Sequence, residues 1–398
     1  MLLITGATII DGTGSLPVDG WAVCVEDRRI VAVGPVETLP RGAEVEELCL
    51  PGCTLLPGMI DCHVHLVDLW SPEPGEEAPA RLHSTLEAAR ATLEAGFTTV
   101  QDLMAPNDVI FAARDAIASG RAEGARIVAS GACITIPGGH GCLPGSSLIA
   151  NDANAVLAAV AEQVRAGADV IKIMVARSPN RPEYLESPAY TVDELGPGVD
   201  HAHRAGLRVC AHAHSLPESI RTAVDAGIDS IEHGAPIDDE TLGVMSSRGT
   251  YLVPTLSVGA GLAATEDTSK LGFAPEIISE MRRLDRQTRD TVRRAHAMGV
   301  PVAVGTDAGT DTVPHGANAM ELRALVECGF TPLEAIVAGT SHAAINVGHG
   351  HDLGIIEPGR VADLVVVDGD PLSDIGRLGD TQKVLLVIKE GCVAVDRR

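Results

Sequence analysis

Along most of the chain a helical segment ends in a small residue and a glycine, and a run of β-branched and apolar residues follows at once. The pattern recurs around Gly96 (EAGFTTV), Gly124 (RAEGARIV), Gly167 (RAGADVI), Gly206 (RAGLRVC), Gly227 (DAGIDSI), Gly249 (SRGTYLV) and Gly299 (AMGVPVA). A glycine just past the last helical turn takes the left-handed capping conformation, and a continuous apolar run directly after it is what a parallel strand buried on both faces looks like. Helix then strand, repeated, predicts a parallel sheet. The run from Thr54 to Ile60 reads as one more strand ahead of the others. With it the strand count reaches eight, the number that closes a (β/α)8 TIM barrel.

The two ends have a different rhythm. Residues 1–57 carry short strand-like runs with hairpin-type breaks (LLITGATII, WAVCVEDRRIVAVG), and residues 350–398 repeat that character (ADLVVVDGD, KVLLVIKEGCVAV). The predicted organisation is therefore a barrel over 58–349 and one small β-sandwich built from both termini, 1–57 and 350–398. No low-complexity linker separates them, so tight docking is expected.

Composition narrows the picture. At 398 residues the chain can bury a large core, and 45% hydrophobic with 21% charged residues is ordinary for a globular protein. Aromatic residues are only 2%, so the core must be built from Val, Ile, Leu and Ala. The formal charge of −24 repels phosphate backbones and anionic lipid head groups, which argues against nucleic acid or a membrane as partner. No apolar stretch reaches membrane-spanning length, and the start reads as strands and not as a signal peptide. Nine cysteines without regular spacing fit reduced thiols in a cytoplasmic protein.

Four segments carry chemistry. In Asp61-Cys62-His63-Val64-His65, alternation along an extended chain puts both histidines on one side, within reach of one metal ion at the C-terminal end of a barrel strand. Lys172 lies inside the apolar strand Asp169 to Val175. Its ammonium must shed its charge, find a carboxylate or be modified, and N-carboxylation by CO2 would let it bridge two metal ions. His212 and His214 share a face on one strand, and His233 follows on the next. Asp307, in Gly305-Thr306-Asp307-Ala308-Gly309, suits a metal ligand that also takes a proton from water, or else a helix N-cap.

Together these segments resemble the amidohydrolase superfamily, in particular its imidazolonepropionase-like and Xaa-Pro dipeptidase-like branch. The resemblance rests on Pro57-Gly-Met-Ile-Asp61-Cys-His63-Val-His65, Ile171-Lys172-Ile173-Met174, Ala211-His212-Ala213-His214, Ile231-Glu232-His233-Gly234, Gly305 to Gly309 and the tail Gly359-Arg-Val-Ala-Asp363-Leu-Val. It implies a binuclear centre of two divalent ions, zinc by expectation. His63, His65, carboxylated Lys172 and Asp307 would hold the more buried ion, and His212 and His233 the second, with His214 behind them. It also implies a hydrolase in which activated water attacks an amide carbonyl, with Asp307 moving the proton.

Around this centre His140, in Pro137-Gly-Gly-His140-Gly, is expected to bind substrate or its oxyanion. Tyr190 resembles a tyrosine that meets a substrate carboxylate, and His315 is a third rim candidate. Arg177 and Arg181 follow the Lys172 strand where the branch has a Gly-rich turn, and arginines there in so acidic a chain point to a carboxylate on the substrate. The expected activity is cleavage of an amide C–N bond in a small molecule: an N-acyl amino acid, a dipeptide or a related carbamate or anilide. A homo-oligomer is expected. The alternatives are a cyclic amidohydrolase of the dihydroorotase or hydantoinase kind, a mononuclear deaminase, and a metal-free scaffold without catalysis.

Overall fold

A computed structural model describes residues 1–40, 45–69, 78–176, 188–271 and 274–398 of the chain. Its architecture is α/β with an added β layer. Parallel pairing joins a first strand, Met59–Val64, to a second, Phe97–Asp102, and that to a third, Arg126–Ala129. The amide of Asp169 donates to the carbonyl of Ala129 (2.8 Å), leading to the fourth, Val170–Met174. The fifth (Arg208–His214), sixth (Ser230–Ala235) and seventh (Tyr251–Val253) follow in parallel register. The eighth segment, 302–308, bridges Leu252 on one side through Val302 and Val64 on the other through Ala308. Pairing thus returns to the strand where it began. Helices including Ala78–Glu94, Asn107–Ala118, Ala153–Ala166, Val192–Arg204, Pro217–Asp225 and Asp239–Arg248 each follow a strand.

Two antiparallel-rich sheets drawn from both termini make the added layer. One has the order Arg29–Pro35, Trp21–Glu26, Leu2–Thr5, Glu46–Cys49; the other runs Cys392–Asp396, Val384–Lys389, Leu364–Asp368, Cys53–Pro57, Thr8–Ile9. Alternation explains how the second sheet serves two cores. Leu55, Leu364, Val366 and Leu386 face the first sheet, against Ile4, Val23 and Val25. Their neighbours Leu56, Val365, Val367 and Val387 face the other way and join Met59 and Phe97 in the core beneath the helices.

Two expectations change. The run from Thr54 to Ile60 is not one strand: Cys53–Pro57 pairs antiparallel with Leu364–Asp368 in the terminal sheet, and Met59–Val64 opens the parallel series. Every residue of both strands is buried, so hydrophobicity carries no mark of the place where the chain changes sheets. Gly58 makes the crossing, and a Cβ there would come within 2.2 Å of the Thr98 hydroxyl. Gly124 is likewise not a helix cap. The helix Asn107–Ala118 has already ended and Gly120 takes the positive φ of 71°. Gly124 instead clears Ile117 and Ala89, which a Cβ would approach to 2.9 and 3.0 Å.

Candidate active site

The first strand sets the site. His63 and His65 are buried on one side as alternation requires, while Cys62 and Val64 enter the apolar cores behind them. Asp61, fully buried, ties this strand to the eighth segment. Its carboxylate accepts from the His63 amide (3.1 Å), the Thr306 amide (3.0 Å), the Thr306 hydroxyl (2.6 Å) and Asn318 Nδ2 (2.7 Å). Burial pushes Asp61 up to about 6 against the pull of these donors.

That clamp delivers Asp307, whose backbone is left-handed at φ 61°. Its Oδ1 lies 3.1 Å from His65 Nε2 and 3.4 Å from His63 Nε2. Burial alone would raise Asp307, but the two imidazoles outweigh it and hold the carboxyl far below the usual range. The remaining imidazoles converge from the fifth and sixth strands and the loop after the third. His140 stacks on His212 at 4.0 Å between ring centroids and an interplanar angle of 9°, and His212 meets His233 at 4.4 Å. Burial lowers His63, His212 and His233 well below the ordinary range, His214 to about 4 and His140 to about 3. Neutral imidazoles keep a lone pair, the state a metal ligand needs.

His63, His65, Lys172, His212, His233 and Asp307 all line one cavity of about 40 Å³, together with His140, Met104, Met174 and Thr310. It has room for a few water-sized species. Lys172 is buried, its Nζ has no hydrogen-bond partner among the described residues, and burial lowers its pKa. The buried Nε2 of His212 is also unpartnered. Ligand atoms cluster within 4.8 Å in two groups, His63/His65/Asp307 and His140/His212/His214. A donor set of this chemistry, with a lysine lacking a partner among the described residues in the same cavity, fits divalent metal and a carboxylated Lys172.

Residues 54–394 match the amidohydrolase family.

The chain belongs to that family.

Among relatives of this amidohydrolase are an uncharacterized Mycobacterium tuberculosis protein, 34% identical over 244 residues, and Aspergillus niger ochratoxinase, 33% identical over 253. These stretches cover 61% and 62% of the chain, but only 64% and 50% of the relatives' own length. A crystal structure of a Xaa-Pro dipeptidase with methionine bound in its active site superposes with a TM-score of 0.87 at 32% identity, covering 99% of both chains.

The remaining candidates fall elsewhere. Tyr190 is buried away from the histidine cavity, and its hydroxyl donates to the Ala150 carbonyl at 2.9 Å. It lines a separate cavity of about 680 Å³ with Ile136, Pro137 and Thr222. His315 sits under the rim, its Nε2 donating to the His65 carbonyl at 3.1 Å. Gly309, at φ 100°, must be glycine there, since a Cβ would stand 2.0 Å from that carbonyl oxygen. Arg177 and Arg181 lie outside the described residues.

Sequence reasoning missed the groups that hold these imidazoles. Glu232 Oε2 lies 2.7 Å from His63 Nδ1, Thr255 Oγ1 2.7 Å from His233 Nδ1, and Ser215 Oγ 2.6 Å from His214 Nδ1. Asp102 accepts from the Leu66 amide (2.7 Å) just past His65. Strand alternation would set Glu232 and His233 on opposite faces, but His233 is left-handed at φ 67°, which breaks the alternation: His233 lines the cavity while Glu232 meets His63 behind it. Glu232 did stand in the quoted Ile231-Glu232-His233 motif, so the residue was visible and its direction was not.

Proposed function

We propose that this amidohydrolase is a metal-dependent enzyme that cleaves an amide C–N bond of a small molecule, with an N-acyl amino acid, a dipeptide or a related carbamate or anilide as substrate. The observation that carries the reading is Lys172: a buried amine without a partner among the described residues, in a cavity lined by five imidazoles and one carboxylate. Leaving an ammonium so placed costs several kcal/mol, and carboxylation with metal ligation removes that cost. The backbone succession described above supports a (β/α)8 barrel over 58–349 docked to a β-sandwich of 1–57 and 350–398. Such a barrel carries its chemistry at the C-terminal ends of its strands, which is where these residues stand.

His63, His65, Lys172 and Asp307 would hold one divalent ion and His212 and His233 the other, with zinc the expected metal. When bound, the ions supply Lewis acidity that lowers the pKa of water and polarises a carbonyl. The chain's own residues do the rest. Asp307, kept anionic by its hydrogen bond with His65, takes a proton from the attacking water and delivers it to the leaving nitrogen. His140, held against His212 by ring stacking, orients the substrate carbonyl. The cavity has room for the reacting group, so the body of the substrate lies outside it.

The nine cysteines are all free thiols, which supports a reducing, cytoplasmic setting. Among the described residues no helix is long and apolar enough to cross a membrane. The test is metal analysis of protein purified without chelator, ¹³C NMR after exchange with labelled bicarbonate, and turnover of a library of N-acyl amino acids and dipeptides. Two ions per chain, a carbamate resonance and amide cleavage are expected. Absence of bound metal would revive the scaffold reading.

A further inference from the structure

We propose that Glu232 is a positioning residue that decides which ring nitrogen of His63 faces the cavity, and so turns His63 and Asp307 into a couple that holds a cation. The proposal rests on the metal-hydrolase reading above. Glu232 is fully buried and does not line the cavity, so it touches no reacting atom. Ser230, two residues earlier on the same strand, donates its hydroxyl to Oε1 at 2.7 Å, and Oε2 lies 2.7 Å from His63 Nδ1. The serine proton is spent on Oε1. In the ionised carboxylate Oε2 is left as an acceptor, and the group it then accepts from is Nδ1–H of His63.

The consequence lies across the ring. With its proton on Nδ1, His63 presents a lone pair at Nε2, and Asp307 Oδ1 presents another 3.4 Å away. Two lone pairs at that separation repel unless a cation sits between them. The opposite tautomer would put a proton on Nε2 and close the gap with a hydrogen bond to Asp307. Glu232 therefore selects the arrangement that needs a metal over the one that replaces it with a proton.

The other wired imidazoles show why a carboxylate is required. His233 and His214 meet hydroxyls at Nδ1, from Thr255 and Ser215. A hydroxyl donates or accepts with equal ease and leaves the tautomer open, whereas a carboxylate only accepts. Among the described residues, Glu232 is the acidic group at the Nδ1 of an imidazole lining this cavity.

The experiment uses the full chain labelled with ¹⁵N-histidine. Imidazole NMR reports the His63 tautomer, assigned by comparison with His63→Asn, and chelator competition reports zinc affinity. Wild type is expected to show Nδ1–H at His63 with and without zinc. Glu232→Ala is expected to lose that tautomer preference and to bind zinc about 10–100-fold more weakly. Glu232→Gln can still accept from Nδ1–H but also offers an N–H, so mixed tautomers and an intermediate loss are expected. Unchanged tautomer and unchanged affinity in folded Glu232→Ala would overturn the proposal; should that variant not fold, the same result in Glu232→Gln would do so. Wild type that binds no zinc defeats the functional reading alone, because the tautomer of the metal-free protein still decides the role of Glu232.

Discussion

Arg126 and Lys172 are cations on neighbouring parallel strands, and the chain treats them in opposite ways. Arg126 is well partnered. One Nη1 reaches Thr99 Oγ1 (2.7 Å) and Asp363 Oδ2 (2.6 Å), while Nη2 reaches Glu390 Oε1 (2.9 Å), and nearby Lys389 Nζ donates to the Gly124 carbonyl (2.8 Å). Lys172 has no such partner among the described residues. The first arrangement fastens the terminal sheet to the parallel strands. The second leaves a group that folding alone does not satisfy, and sites of that kind are where function is to be sought.

The contrast breaks if exchanging the two cations for apolar residues has the same effect at both places. Lys172→Met carries the largest expected change: metal analysis should find the ions lost and assays no turnover, while the metal-free protein melts no lower than wild type. Retained metal and activity, without added bicarbonate or short acids, would remove Lys172 from the centre. Asp307→Asn comes next. It should keep the fold by circular dichroism and cut turnover by on the order of 10²–10⁴. Near-normal rates would take Asp307 off the proton path.

Arg126→Met should do the reverse of Lys172→Met. Denaturant unfolding is expected to show a loss of about 3 kcal/mol, because buried Asp363 keeps the Glu390 amide but loses its guanidinium partner, with metal content per folded chain unaltered. A stability equal to wild type would mean that the sheets are held by apolar packing alone. The smallest effect concerns pH. Burial lowers Lys389 to about 8, so between its ordinary pKa near 10.4 and 8 the unfolded chain binds a proton that the folded chain does not. Stability from this residue is therefore present at high pH and lost as pH falls through that window. Lys389→Met should flatten the slope of melting temperature between pH 8 and 10, and an unchanged slope would assign it to other groups.

What could be read from the chain follows the same division. His63 and His65 were visible because two residues apart on a strand means one face, whatever the strand packs against. Glu232 was hidden for a reason of the same kind: the pattern assumes an extended backbone, and His233 departs from it. Tyr190 was read as a substrate contact from its resemblance to a family tyrosine. Its hydroxyl bonds the Ala150 carbonyl, a partner forty positions away that no local pattern could name. The crossing at Gly58 was invisible because both strands beside it are buried on both faces.

By itself the sequence determined the residue types and order of the centre, the helix–strand rhythm and the β character of both ends, since these depend on periodicity and spacing along one chain. Only the tertiary structure decided that Lys172 is left without a partner among the described residues while Arg126 binds two carboxylates, that Asp61 clamps Thr306 and with it Asp307, and that Glu232 meets His63. These contacts join residues up to 264 positions apart, as in Arg126 and Glu390. The energy of a buried charge depends on what surrounds it in space, which no stretch of chain contains.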